Sequence, residues 1–285
     1  MKGLIIAAGY GTRFLPVTKT IPKEMLPLVD KPAIDFIIEE LIDSGIRDIL
    51  IVTSRRKKSL EDYFDREIEL ESIFSKNLDS ANMSKIAPAK ANIYFLRQKE
   101  MLGTGHAILS CKEFVGDSPF VVAYPDDIVF SKIPLSKQLI NIYEKTGNNV
   151  LSVEKKESDL SRYGVISYQN VDNYLKVKSI VEKPPKGSEP SNLISIGRYL
   201  FNSEIFHLLE NGFKNHKEGE FYHIDSINTL CKENKVYACQ FEGQRIDVGD
   251  KATYIEGIIK YALIREDLRE TTFKIINKLI AEYNH

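Results

Sequence analysis

Cysteine is scarce in this 285-residue chain: Cys111, Cys231 and Cys239 are the full set. An odd number without metal-site spacing argues against a disulfide framework or a cysteine-based metal centre, and predicts reduced, buried thiols. An excess of one charge sign is missing too. With 39 Lys and Arg against 40 Asp and Glu, the net charge is −1, which provides no general attraction to nucleic acid or an anionic membrane. No apolar run approaches the length of a membrane span. Met1 leads into a strand without a charged leader and long apolar core, so no signal peptide is expected and the cytoplasm is the expected compartment. Two phosphate loops are absent as well. The dinucleotide fingerprint needs a third glycine where this chain has Phe14, and no Gly-Lys-Ser/Thr string of a P-loop occurs. An NAD(P)-linked oxidoreductase is excluded on that glycine and on the missing acidic ribose partner. Repeats, low-complexity tracts and flexible linkers are lacking.

What remains is an ordinary globule in composition, with 43% hydrophobic and 28% charged residues, long enough for one large α/β domain or two small ones. Its most telling stretch comes first. An apolar run over residues 4–8 drives into Gly9-Tyr10-Gly11-Thr12-Arg13, and Lys19 and Lys23 follow closely. Glycines let a backbone approach phosphates and aim N–H groups at them, while close-set cations neutralise the charge. Pro16 and Pro22 prevent an immediate regular helix. The expectation is a triphosphate site using Ala8, Gly9, Gly11 and Thr12.

With Pro22-Lys23-Glu24-Met25-Leu26-Pro27 attached, this stretch resembles the sugar-nucleotide pyrophosphorylases, nucleotidyltransferases that join a nucleoside triphosphate to a sugar 1-phosphate. The string from Thr18 to Pro27 is most similar to the bacterial members that use UTP and glucose 1-phosphate. The resemblance recurs in order to about Tyr261. It implies a Rossmann-like three-layer α/β/α fold, a magnesium ion, and a homodimer or homotetramer.

The patterning agrees with an α/β class. Residues 3–8, 49–53, 92–96, 120–124 and 150–153 read as strands, and 33–44 and 105–114 as helices, with a third helix after Pro134. Such alternation predicts a mostly parallel sheet covered on both faces. The acidic stretch 62–90 reads as a helical insertion, weakly structured over 77–88, serving shape or subunit contact. Residues 162–168 and 177–181 flank a turn at 170–173 and read as a hairpin. Further strands are expected over 194–201 and 236–241. From Lys251 the chain reads as helical, with Ile255, Ile258, Ile259, Ala262 and Leu263 at helical spacing. The expected organisation is a catalytic domain over 1–250 and a helical segment over 251–285, packed on the domain or against a partner subunit.

Asp126 and Asp127 follow an apolar strand and Pro125, where ligands of open α/β sheets sit, so both carboxylates are expected to point into the crevice. A helix cap or solvated turn is the plainer alternative. Magnesium takes one or two protein carboxylates plus phosphate oxygens, and the resemblance assigns it to Asp126 together with Asp247. It also gives Glu182 to sugar hydroxyls, Lys183 to the sugar phosphate, and Gly164 and Gly197 to the sugar pocket. Gln98 offers an amide donor and acceptor that match the edge of uracil or thymine, and Gly103 allows close backbone approach to the same ring. His106 is expected as a supporting residue. Two positions depart from the family: Tyr124 stands where leucine is usual, and His223 breaks a polar–apolar pattern.

A sugar phosphate loses its second proton near a pKa of about 6, so the attacking oxygen needs no general base. Positioning and charge neutralisation suffice. Arg13 is expected to stabilise the departing diphosphate, Lys183 the incoming phosphate and Lys23 the triphosphate, with Lys19 as second choice. These motifs leave dTTP open as the nucleotide, since thymine and uracil share an edge. A non-catalytic sugar-nucleotide sensor of the same fold is the rival of another class.

Overall fold

A computed structural model describes residues 1–283. The first strand, β1 (Lys2–Ile6), shows why the sheet is central. Leu4, Ile6 and Ala8 face one hydrophobic cluster, while Ile5 and Ala7 face another on the opposite side. A strand buried on both faces reads as a continuous apolar run, as this one does. The same alternation splits β4 (Asp48–Thr53) and β6 (Phe120–Ala123) between the two clusters.

Two short strands, β2 (Pro27–Leu28) and β3 (Lys31–Pro32), follow the N-terminal loop and lead into helix α1 (Ala33–Asp43). After β4 come α2 (Lys58–Phe64), α3 (Ile68–Lys76) and α4 (Ser80–Lys85), then β5 (Asn92–Arg97). Helices α5 (Thr104–Leu109) and α6 (Lys112–Val115) precede β6, and β7 (Asp127–Phe130) precedes α7 (Leu135–Thr146). The chain continues through β8 (Asn149–Lys155), β9 (Gly164–Val171), β10 (Tyr174–Glu182) and β11 (Leu193–Phe201). Helices α8 (Ile205–Asn215) and α9 (Ile224–Lys232) follow, then β12 (Val236–Gln240), β13 (Gln244–Asp247), α10 (Lys251–Ile264) and α11 (Glu266–Tyr283).

Nine strands form one sheet in the order β5-β4-β1-β6-β11-β8-β12-β10-β9, with β9 also pairing β11. Residues of α5, α6, α8 and α9 fill the cluster on one face, and residues of α1, α7 and α10 fill the other. The expected three-layer α/β/α architecture is therefore present. Its sheet is more mixed than the alternation predicted. β5, β4, β1 and β6 run parallel, whereas β11 and the β9–β10 hairpin pair antiparallel with their neighbours. The hairpin turns at Asp172-Asn173, both at positive φ, a conformation that these two residue types tolerate.

Other differences are local. The helix expected over 105–114 divides into α5 and α6. Within the stretch expected to be irregular, Asp79 accepts a hydrogen bond from the Asn82 N–H and caps α4. The two-stranded ladder of β7 with β13 was not expected. It sets Asp127 opposite Asp247. At the C-terminus, α10 packs on the body through Tyr261, whose ring meets Phe36 and Phe130. α11 has no buried residue.

Candidate active site

Past the end of β1 the chain makes three 3₁₀ turns, Thr12–Phe14, Val17–Lys19 and Lys23–Met25. Gly11 takes φ 67°, and a Cβ there would press on Lys23 and Thr18 at 3.3 Å, so glycine suits the position on two counts. The Thr18 hydroxyl donates to the Gly11 carbonyl at 2.8 Å and closes the loop. Ala8 is buried, while Gly9, Thr12 and Arg13 are exposed, Gly9 with open space around it.

The loop has a charged anchor that the sequence pattern did not disclose. Glu24 is buried and its two oxygens accept from the Lys57 ammonium at 2.8 Å each. The same ammonium donates to the Ala7 carbonyl at 2.5 Å. Burial lowers the Lys57 pKa, although Glu24 opposes the shift. Lys57 thus ties the end of β1 to the turn that carries Lys23.

Asp126 lies just beyond β6, where it accepts from the Lys23 ammonium at 2.6 Å. Burial alone would raise its carboxyl, yet Lys23 beside it holds the pKa below the usual value. For Lys23 burial works the other way, and Asp126 with Glu24 outweighs it and raises the pKa. Asp247, at the end of β13, accepts from the Gly249 N–H at 2.8 Å. An atom at the missing Cβ of Gly249 would lie 2.9 Å from Asp247 Oδ1 and 3.1 Å from Asp126 Oδ2. The two carboxylates, 121 positions apart in sequence, therefore flank one point, which Arg13 also approaches within 3.4 Å. Arg13 donates to the Gly249 carbonyl at 3.1 Å.

This pair fits a magnesium ion. Among the described residues, no three His, Cys, Asp or Glu side chains gather into a metal cage. Two carboxylates beside an open phosphate loop suit an ion that completes its shell with phosphate oxygens and water. Asp127, expected to point into the crevice beside Asp126, is instead engaged by protein groups through both oxygens. Its Oδ2 accepts from the Gly197 N–H at 2.8 Å and its Oδ1 from Arg245 at 2.5 Å. Burial raises its pKa, with Arg245 opposing and the neighbouring carboxylates reinforcing. Arg245 also bonds Asp247 at 3.2 Å and reaches Glu154 at 3.5 Å, gathering three carboxylates around one guanidinium.

The residues expected to meet the sugar come together through strand register. Gly164 pairs with Glu182 across the hairpin and with Ser195 on β11. A Cβ at Gly164 would sit 2.9 Å from Glu182 Oε2, so the glycine makes room for that carboxylate. Lys183 holds φ 47° with its N–H donating to the Tyr163 carbonyl at 3.0 Å, while its ammonium lies 3.9 Å from Glu182. A Cβ at Gly197 would collide with Asp127 Oδ2 at 2.5 Å and Tyr124 at 2.8 Å. Behind these residues, Arg198 is fully buried and bonds Glu40 at 2.9 and 2.8 Å, which braces the Asp127 segment against α1.

Gln98 and Gly103 lie together, but the Gln98 amide nitrogen faces the Gly103 carbonyl at 3.3 Å and His106 Nδ1 at 3.0 Å, so the donor expected to read the base is engaged within the protein and the amide oxygen is what remains. The two positions that depart from the family meet as well. Tyr124 and His223 stack with ring centroids 6.3 Å apart, and Thr104 Oγ1 lies 3.1 Å from His223 Nδ1. Lys19 stays exposed, with Arg56 held on its carbonyl at 3.2 Å. Lys57 and Arg245 are the two anchors that sequence reasoning missed. Lys57 sits in an Arg-Arg-Lys run that looks like a solvated face, and Arg245 looks like context for Asp247.

Comparison with known proteins shows the family to which the chain belongs. Residues 2–262 match the family model for nucleotidyl transferases, and the chain belongs to that family. It is 44% identical over 282 residues to UTP–glucose-1-phosphate uridylyltransferase 2 of Staphylococcus saprophyticus, covering 98% of this chain and 97% of the relative. The enzyme of the same function name from Staphylococcus haemolyticus is 43% identical over 285 residues, covering 98% of each. Among solved structures, a UTP-bound UGPase from Acinetobacter baumannii superposes with a TM-score of 0.88 at 33% identity, covering 98% of this chain and 99% of that one. A UDP-glucose pyrophosphorylase complexed with UDP-glucose gives 0.81 at 40% identity, covering 93% and 99%.

Proposed function

We propose that this protein is a uridylyltransferase that converts UTP and glucose 1-phosphate to UDP-glucose and diphosphate. The observation that carries the reading is the convergence of Asp126, Asp247, Lys23 and Arg13, from separate parts of the chain, around Gly249. The substrates are supported by the uridylyltransferase names of its relatives and by the UTP and UDP-glucose complexes of its structural neighbours.

An oxygen of the sugar phosphate forms a bond to the α-phosphorus of UTP, and the bond to the β-phosphate oxygen breaks. Glucose 1-phosphate is mostly dianionic at neutral pH, with a second pKa of about 6, so no side chain has to remove a proton. Asp126 and Asp247 would hold magnesium, which supplies positive charge beside the nucleotide and sugar phosphates when bound. The 8–12 loop offers backbone to the triphosphate, and Lys23 adds an ammonium beside it. Arg13 neutralises the departing diphosphate. Lys183 meets the incoming phosphate, and Glu182 accepts hydrogen bonds from sugar hydroxyls beside Gly164 and Gly197. Gln98 and Gly103 receive the uracil. Rate acceleration then comes from alignment and charge neutralisation.

The reading includes a cytoplasmic location, supported by three buried free thiols and by the lack, among the described residues, of any helix long and apolar enough to cross a membrane. It also includes a homodimer or homotetramer, supported by the exposed Phe273, Leu279 and Tyr283 along α11.

Diphosphate release tests the proposal, using UTP, dTTP, CTP and GTP against several sugar 1-phosphates. UTP with glucose 1-phosphate is expected to give the highest kcat/KM, and EDTA to abolish turnover. Asp126→Asn and Asp247→Asn are each expected to lose about a hundred- to thousandfold in kcat, as when a charge-stabilising group is removed, with native circular dichroism. Undiminished turnover in EDTA, or in both variants, rejects the assignment.

A further inference from the structure

The Gln98 amide is held in one orientation. Its nitrogen faces the Gly103 carbonyl at 3.3 Å and His106 Nδ1 at 3.0 Å. A carbonyl can only accept, so the NH2 side of the amide must face this way. The second amide hydrogen then meets His106 Nδ1, which must be bare, with the ring proton on Nε2. A neutral ring agrees with its surroundings: burial lowers the His106 pKa, with only Glu100 opposing. Both Gln98 donors are thereby used inside the protein. Its Oε1 accepts no hydrogen bond from the described residues, and it is not one of the buried polar atoms left without a partner.

We propose that His106 is a positioning residue for nucleotide choice: by accepting the Gln98 N–H at Nδ1, it turns the amide oxygen toward the base. This rests on the proposed role of Gln98 in binding the nucleobase. An amide oxygen turned toward the base demands a ring N–H opposite it. Uracil and thymine supply one at N3. Cytosine has a bare ring nitrogen there, so two lone pairs would face each other and an acceptor would be left unpaired. His106 thus excludes CTP without touching it. Packing alone is a separate role, since the His106 ring also lies 5.1 Å from that of Phe213.

His106→Phe keeps the ring against Phe213 and removes the acceptor, whereas His106→Gln supplies an amide oxygen instead. Both variants and the unaltered enzyme are compared by kcat/KM for UTP and for CTP. In His106→Phe the UTP:CTP preference is expected to narrow about tenfold, the scale of one lost hydrogen bond. The loss should appear as a higher KM for UTP with kcat at saturation nearly unchanged, and His106→Gln should recover most of it. An unchanged ratio, or equal losses with both nucleotides, overturns the proposal. A measurement on the unaltered protein stands apart from any folding defect: ¹⁵N-resolved histidine spectra at pH 7 should show His106 with a bare Nδ1, and a protonated Nδ1 would also overturn it. Failure of the unaltered enzyme to use UTP would instead refute the underlying activity, so the two failures are told apart.

Discussion

On the proposed nucleotide side of the site, Lys23 is clamped against Asp126 at 2.6 Å and rests on the buried Glu24–Lys57 pair. On the proposed sugar side, Lys183 has a side chain 65% exposed and stands 3.9 Å from the Glu182 carboxylate. Its backbone is nonetheless pinned, at φ 47° and by its bond to Tyr163. The first cation is set in place before substrate arrives. The second keeps rotamer freedom that only a bound phosphate would remove. Charges that share one fold and one proposed reaction are therefore coupled to stability to very different degrees.

Breaking the clamp tests the first half of that contrast most severely. Glu24→Ala leaves the buried Lys57 ammonium without its counter-charge, and a loss of about 3–5 kcal/mol in unfolding free energy is expected. Urea titration measures it, and a loss below about 1 kcal/mol would mean that water readily takes over from Glu24.

Away from these cations the fold buries another titrating group. His223 lies 6.3 Å from the Tyr124 ring and 5.2 Å from the Tyr199 ring, and burial pushes its pKa down to about 4. An unfolded chain would protonate this histidine near pH 6.5. Its contribution to stability is thus complete above about pH 6.5 and is lost as pH falls toward 4, a span worth about 3 kcal/mol. Unfolding free energies of the unaltered protein and His223→Leu, compared at pH 7 and 4.5, should show a flatter pH dependence in the variant. Parallel curves would place the acid sensitivity elsewhere.

Lys183→Ala sharpens the other half. Turnover is expected to fall about a hundredfold, by analogy with loss of a charge-stabilising donor, while the thermal midpoint stays put because the ammonium is solvated in the resting protein. A loss below tenfold would remove Lys183 from the reaction, and a marked drop in thermal midpoint would show that it is less free than its exposure suggests.

Much of the proposed nucleotide side could be read from the sequence because its parts are contiguous: the glycine loop, Arg13 and Lys23 fall within sixteen residues. The proposed sugar side was suggested only by motif likeness, since Gly164 and Glu182 become neighbours by hairpin register. What escaped was pairing at a distance. The β7–β13 ladder joins two four-residue strands that carry no periodic signal of their own. The Glu24–Lys57 and Glu40–Arg198 pairs link residues 33 and 158 positions apart. Charged side chains are seldom fully buried unless paired, and no local pattern reveals the partner. The parallel half of the sheet followed from alternation of strands and helices, whereas the antiparallel half depends on where β11 inserts.

Gly103 gives the proposed base site a wall that no choice of side chain can move. Its φ is 96°, and a Cβ there would stand 2.5 Å from the Phe221 carbonyl oxygen and 2.7 Å from its nitrogen. The obstacle is main chain, stapled on both sides: Phe221 donates to the Leu102 carbonyl at 2.8 Å, and Gly105 donates to the Phe221 carbonyl at 2.9 Å. Enlarging this corner for a bulkier ring would mean rerouting the backbone ahead of α9.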